Sequence, residues 1–174
     1  DLPYELVADN GEFSLIGTVF GSPYTVAEEL NTKTAPKSSY HIQTTGDDSQ
    51  QSWFDLLKTQ EISHRMHVEL IDYCNNKGII FLSTPYGEKS ADLLENLDIP
   101  AYKIASTDAN NIPLLQHISR KGRPMILSSA MATMREMAEA VSAVRDEGLK
   151  DIAVLQCTGN YPAQLKDSNL RVMQ

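Results

Sequence analysis

The sequence predicts an α/β fold, a partial TIM-type (β/α) barrel in which parallel strands alternate with helices, and three observations carry that expectation. Four short aliphatic runs start at residues 78, 101, 124 and 151, which are 23, 23 and 27 residues apart. Such intervals hold one helix and two tight turns, the period of a βα unit and not of a hairpin. The intervals carry helix start and stop signals. Finally, 174 residues fall short of the ~250 that a whole eight-stranded barrel takes.

Each run reads as a strand covered on both faces: Gly78-Ile-Ile-Phe-Leu82, Ala101-Tyr-Lys-Ile-Ala105, Pro124-Met-Ile-Leu127 and Asp151-Ile-Ala-Val-Leu155. Right-handed crossovers are expected to lay successive units side by side in one curving sheet. Ser63 precedes a helix that buries Leu70, Ile71 and Cys74 and stops near Gly78. Asn111 caps a second helix, in which the early Pro113 needs no amide partner and Leu114, Leu115 and Ile118 form the inner stripe. Thr133 and Glu136 fit a capping box ahead of a third, with Met134, Met137, Ala138, Val141 and Val144 on one face and Gly148 at its end. Nearer the start, Leu2–Asp9 reads as a helix and Phe13–Phe20 as a strand, and 47–59 adds a short helix containing Trp53, Leu56 and Leu57. The whole chain, 1–174, is expected to be one domain, with 22–60 a long loop and short helix inside it.

Composition narrows the partners. A hydrophobic content of 41% is ordinary for a soluble domain. With a formal net charge of −8, no nucleic acid and no membrane surface is an expected partner, because either demands a dense basic face. No apolar stretch approaches the ~20 residues of a membrane span, and no secretory leader opens the sequence, so a cytoplasmic location is expected. Cys74 and Cys157 lack the spacing of a disulfide or zinc framework. His64 and His67 sit three apart on a predicted helix with no third ligand nearby, which reads as a solvated face and gives no metal site.

The chemistry gathers at the strand ends. Ser83-Thr84, Ser106-Thr107, Ser128-Ser129 and Cys157-Thr158 all follow strands, and in a parallel barrel those ends form the rim where sites are built. Any one of these hydroxyls is explained by turn-making and helix capping. Four in register around a charged residue inside a strand point instead to an anion. That residue is Lys103, whose ammonium among hydroxyls suits a phosphate or carboxylate. Asp108 and Glu88 also follow strand ends; Glu88 reads as a complement to its helix dipole. Tyr161-Pro162 closes the last strand with a rigid turn, and its phenol either bonds a substrate or packs on the rim.

At these residues the sequence resembles the N-acetylneuraminate (sialic acid) synthase family, including its legionaminic acid synthase relatives. The carrying words are Phe81-Leu-Ser-Thr-Pro-Tyr86, Ala101-Tyr-Lys-Ile-Ala-Ser106, Asn110-Asn-Ile-Pro-Leu-Leu115, Lys121-Gly-Arg-Pro-Met-Ile-Leu-Ser-Ser129, Gln156-Cys-Thr158 with Tyr161-Pro162, and Ser168-Asn-Leu-Arg171. Ala27-Glu-Glu-Leu30 and Ala35-Pro-Lys37 resemble the loop after the family's second strand. The resemblance implies a transferase of carbohydrate biosynthesis that condenses phosphoenolpyruvate with N-acetylmannosamine or a related N-acetylated sugar, releasing phosphate. It implies Thr84, Lys103, Ser106 and Ser128 as phosphoenolpyruvate-binding residues, Asp108 and Tyr161 as sugar contacts, a manganese or magnesium ion that polarises the sugar aldehyde, and a homodimer.

The departures from the family pattern set a second expectation. The family's opening strand with its glutamate in an Ile-Ala-Glu-Ile-Gly context has no counterpart. The Lys-Phe-Gln word of its second strand is matched only by Val19-Phe20-Gly21, and Ala130 and Gly159 replace a usual Gly and a usual Ser or Asn. The two metal-binding histidines and the small C-terminal domain of the family lie beyond Gln174. This chain alone is therefore expected to keep much of the phosphoenolpyruvate pocket, to lack the metal ligands and to be inactive. Two other readings stand beside it: a Schiff-base aldolase with Lys103 as nucleophile, and a non-catalytic ligand-binding or interaction module whose open sheet edges self-associate.

Overall fold

The computed structural model describes residues 4–9, 12–19, 58, 61–160 and 163–173. The chain divides into two compact units, Asp1–Leu97 and Asp98–Gln174.

In the first unit, β1 (Tyr4–Asp9) and β2 (Glu12–Val19) pair antiparallel from Tyr4↔Gly17 to Asp9↔Glu12. The helix expected at Leu2–Asp9 is thus a strand. In its sequence Tyr4, Leu6 and Ala8 alternate with Glu5 and Asp9, with Val7 as the exception. β2 then pairs in parallel with β3 (Ile80–Ser83), from Ile16↔Ile80 to Val19↔Ser83.

Between them runs α1 (His64–Lys77). The Ser63 hydroxyl accepts from the Met66 amide at 3.2 Å, and Gly78, at φ 67°, adopts the left-handed turn that closes the helix. The face turned inward is His67, Leu70, Ile71 and Cys74, the i, i+3, i+4, i+7 stripe of an amphipathic helix. His67 is its most buried member, fully inaccessible and edge-on to the Phe81 ring at 6.0 Å. The expected pair on a solvated face is therefore half wrong: His64 is exposed, while His67 belongs to the core. α2 (Glu88–Asn96) follows β3, with Ala91 and Leu94 buried. Ser90 folds back so that its hydroxyl accepts from the Tyr86 and Gly87 amides at 3.1 and 3.2 Å. Of the long segment 22–60, only Lys58 lies among the described residues, in a helix.

The second unit is a parallel sheet in the order β4 (Tyr102–Ile104), β5 (Met125–Ser128), β6 (Ile152–Leu155). Among the described residues the strands form two three-stranded sheets, one in each unit. Register runs Tyr102↔Met125↔Ile152 and Ile104↔Leu127↔Val154. α3 (Ile112–Ser119) buries Leu114, Leu115 and Ile118, and α4 (Met134–Asp146) buries Met137, Ala140 and Val144. The stripe read for α4 needs adjustment, since Met134 is 70% exposed and Ala138 is exposed, leaving Ala140 to complete the covered face. The capping box at its start is present: the Glu136 carboxylate accepts from the Thr133 amide at 2.7 Å, and the Glu136 amide donates to the Thr133 hydroxyl at 3.3 Å.

Alternation along the strands sorts their side chains. Tyr102, Ile104, Met125 and Leu127 are fully buried on one face. Lys103, Ile126 and Ser128 take the other. At the N-terminal ends of the strands, Arg123 ties β5 to the approach of β4, donating to the Ile99 carbonyl at 2.6 Å and pairing with Asp98. β6 is the thinnest part of the sheet, with Ala153 and Val154 exposed where the neighbouring β5 is covered.

Candidate functional site

The register explains the central contact. Lys103 stands opposite Ile126, and Ser128, two residues further along β5, shares the face of Ile126. A lysine stem directed along that face brings its ammonium to the C-terminal end of β5. There the Lys103 Nζ donates to the Ser128 hydroxyl through a very short hydrogen bond, and also to the Ile104 carbonyl at 3.3 Å. Ser128 is buried and Lys103 half-buried. The pair presents an ammonium and a hydroxyl at one spot on the strand ends, which is a donor set for a small anion.

β4 ends in a tight turn. Ser106, Thr107 and Asp108 form a 3-10 turn closed by the Asp108 amide on the Ala105 carbonyl at 3.0 Å. Ser106 is half-buried and Asp108 is 6% exposed. Each Asp108 carboxylate oxygen is engaged: Asn111 Nδ2 donates to Oδ1 at 3.2 Å and the Thr107 hydroxyl donates to Oδ2 at 3.3 Å. Burial pushes the Asp108 carboxyl above the ordinary carboxylate range, and these two hydrogen bonds oppose that shift.

The remaining sites expected from sequence are placed as follows. Thr84 is buried after β3, in the first unit. Tyr161 lies outside the described residues. Among the described residues no group of three His, Cys, Asp or Glu side chains is arranged to hold a metal ion. His67 has its Nδ1 3.1 Å from the Ser63 carbonyl, which fixes the proton there, and its Nε2 is buried without a partner among the described residues. Burial pushes its imidazole below its ordinary pKa, the Ser63 carbonyl opposes that and His64 adds to it. No helix among the described residues is long and apolar enough to cross a membrane.

Sequence reading missed two polar contacts around this rim. Asn111 was legible only as a helix cap, yet it also holds Asp108; an acidic residue three positions before a capping Asn was the available signal. Gln156 joins three segments, because its Oε1 lies 3.5 Å from the Ser129 hydroxyl while its Nε2 donates to the Ser168 carbonyl at 3.3 Å. No local pattern announces that contact, since Ser168 is twelve residues away.

Comparison with known proteins gives the family and the fold. Residues 24–174 match the model of the NeuB family. The chain is 43% identical over 122 residues to the spore coat polysaccharide biosynthesis protein SpsE of Bacillus subtilis, covering 70% of this chain and 33% of the relative. The crystal structure of that protein matches with a TM-score of 0.63, over 78% of this chain and 37% of the other. The N,N'-diacetyllegionaminic acid synthase of Legionella pneumophila is 36% identical over 152 residues, 85% of this chain and 42% of that protein. The N-acetylneuraminic acid synthetase of Leptospira borgpetersenii, solved with citrate, shares the fold at a TM-score of 0.70 and 20% identity, over 98% of this chain and 65% of the other. The chain thus spans a third to two fifths of the curated relatives it matches, and its fold class is theirs, α/β with parallel strands alternating with helices.

Proposed function

Because the chain belongs to the NeuB family, we propose that it carries the phosphoenolpyruvate-binding rim of a nonulosonic acid synthase, whose second substrate is N-acetylmannosamine or a related N-acetylated amino sugar. The observation that carries this reading is the contact between Lys103 and Ser128 at the end of β5. Phosphoenolpyruvate is a small polyanion, and a half-dried ammonium beside a hydroxyl offers it charge-assisted hydrogen bonds at a site otherwise set in an acidic protein. Ser106, at the neighbouring strand end, adds a hydroxyl to the proposed set. Asp108 and Tyr161 are assigned to the sugar.

In the proposed reaction the enol carbon of phosphoenolpyruvate bonds to the aldehyde carbon of the open-chain sugar. Water adds to the cationic carbon left behind, and the tetrahedral intermediate expels phosphate, so carbon, oxygen and phosphorus balance. Lys103 and Ser128 would hold the phosphate or carboxylate charge through these steps. The divalent manganese or magnesium ion implied by the family resemblance does not fit the described residues, which offer no three-ligand group, and no step is assigned to it here. A homodimer and a cytoplasmic location belong to the same proposal.

The test is binding before turnover. Phosphoenolpyruvate at a hundredfold its dissociation constant should stabilise the chain by about 2.7 kcal/mol, read as a rise in melting temperature. With N-acetylmannosamine and manganese added, the chain alone should form no product. Robust product would refute the expected inactivity, and no thermal response to phosphoenolpyruvate would refute the anion site.

A further inference from the structure

The side chain of Asn111 does two things at once. Its Oδ1 accepts from the Leu114 amide at 3.4 Å, satisfying one of the orphan donors at the start of α3, and its Nδ2 donates to Asp108 Oδ1 at 3.2 Å. Its own amide donates to the Asp108 carbonyl at 3.0 Å. Capping alone does not require asparagine. Serine, threonine or aspartate caps as well, but an aspartate has no proton to donate, and a hydroxyl must do both tasks from one oxygen, whereas the carboxamide places acceptor and donor on separate atoms. The second branch of the carboxamide is the feature that capping leaves unexplained.

That branch acts on an unusual acid. Asp108 is 6% exposed, its described partners Thr107 and Asn111 are uncharged, and burial is the largest cause of the upward shift of its titration. A carboxylate offers about four acceptor positions, and described residues fill two of them. We propose that Asn111 is a positioning residue, which ties the Asp108 carboxylate to the first turn of α3 and so fixes it at the β4 rim to accept from a hydroxyl of the amino sugar. The proposal rests on the reading of Asp108 as a sugar contact. Asn111 touches no reacting atom; it works through Asp108.

The experiment uses the full chain with carbon-13-labelled aspartate, the Asp108 signal assigned with Asp108→Asn. The Asp108 carboxyl is titrated by NMR in the wild type, in Asn111→Ser and in Asn111→Asp, and each variant is melted thermally. Asn111→Ser keeps a good cap and removes the amide donor, so its melting temperature should stay close to the wild type while the Asp108 midpoint moves up. Asn111→Asp should move it further, because two carboxylates then face each other. A residue that only caps α3 leaves the midpoint unchanged, and that result in both variants overturns the proposal. Should Asn111→Ser fail to fold, Asn111→Thr, which also caps through a hydroxyl and lacks the amide donor, takes its place.

Sugar binding is then read by saturation-transfer NMR with N-acetylmannosamine on the phosphoenolpyruvate-saturated chain. Loss of one hydrogen bond to a charged acceptor predicts about tenfold weaker binding in Asn111→Ser near neutral pH. Equal binding by wild type and Asn111→Ser overturns the positioning role. A wild type that binds phosphoenolpyruvate but no sugar overturns the assignment of Asp108, and a wild type that binds neither overturns the proposed function; in both cases the titration still reports whether Asn111 controls Asp108.

Discussion

Replacing Lys103 by Met separates anion binding from folding. The thioether keeps an unbranched apolar stem of similar length on the face that Lys103 shares with Ile126, and it removes only the ammonium. The lost interaction is one charged hydrogen-bond donor, worth about 1.5–3 kcal/mol, so phosphoenolpyruvate affinity should fall about 10- to 100-fold. Stability should respond far less. The Ser128 hydroxyl loses its donor but can rotate to donate in its turn, and Met gains from a half-buried apolar position, so the unfolding free energy should change by about 1 kcal/mol or less. Isothermal titration with phosphoenolpyruvate at low salt, paired with urea unfolding of the same preparations, measures both quantities. Unchanged affinity in a folded Lys103→Met chain would refute the reasoning, because it would mean that the anion is held elsewhere. Lost affinity accompanied by an equal loss of stability would refute it differently, by making Lys103 a structural residue.

Other expectations concern the scaffold. Leu115→Ala empties a fully buried position under the sheet and should cost about 2–5 kcal/mol in urea unfolding; a cost under 1 kcal/mol would show that α3 is not packed as described. Thr133→Ala removes the cap of α4 and should cost about 1 kcal/mol, most of it restored by Thr133→Ser. His67 predicts an acid-sensitive first unit. Its folded-state pKa lies below the unfolded value of about 6.5, so its neutral form contributes fully above that value, and stability is lost as pH falls through 6.5 towards the lowered pKa. His67→Leu should flatten that part of the stability profile relative to the wild type, and an unaltered slope would assign the acid sensitivity to other groups.

The strand–helix alternation was legible because a covered parallel strand must be apolar on both faces, and such runs recur at 78, 101, 124 and 151. The caps at Ser63, Asn111 and Thr133 were legible because each serves a local need of the backbone. β1 departs from the helix expected of Leu2–Asp9, because a six-residue segment is too short for apolar content alone to separate helix from strand. The place of His67 follows from its spacing to Leu70, Ile71 and Cys74, which sets it on the inner stripe, and not from its spacing to His64. Lys103 stood out as a charge inside an apolar strand, and its contact with Ser128 follows from parity once the parallel register is known. The Asp108–Asn111 contact needed the turn geometry after β4, and the tie from Gln156 to Ser168 needed the path of the chain beyond β6. Neither is set by a repeating pattern.

The thin cover over β6 has a practical consequence. Its Ile-Ala-Val-Leu sequence carries no lysine, proline or other charge of the kind that keeps exposed strands apart, and Val154 is 49% exposed. Such a ribbon is a template for adhesion between molecules during expression and concentration. Val154→Lys, at a position that is 49% exposed although its register partner Leu127 is fully buried, should raise the soluble yield while leaving the donor pair on the other face of the sheet untouched.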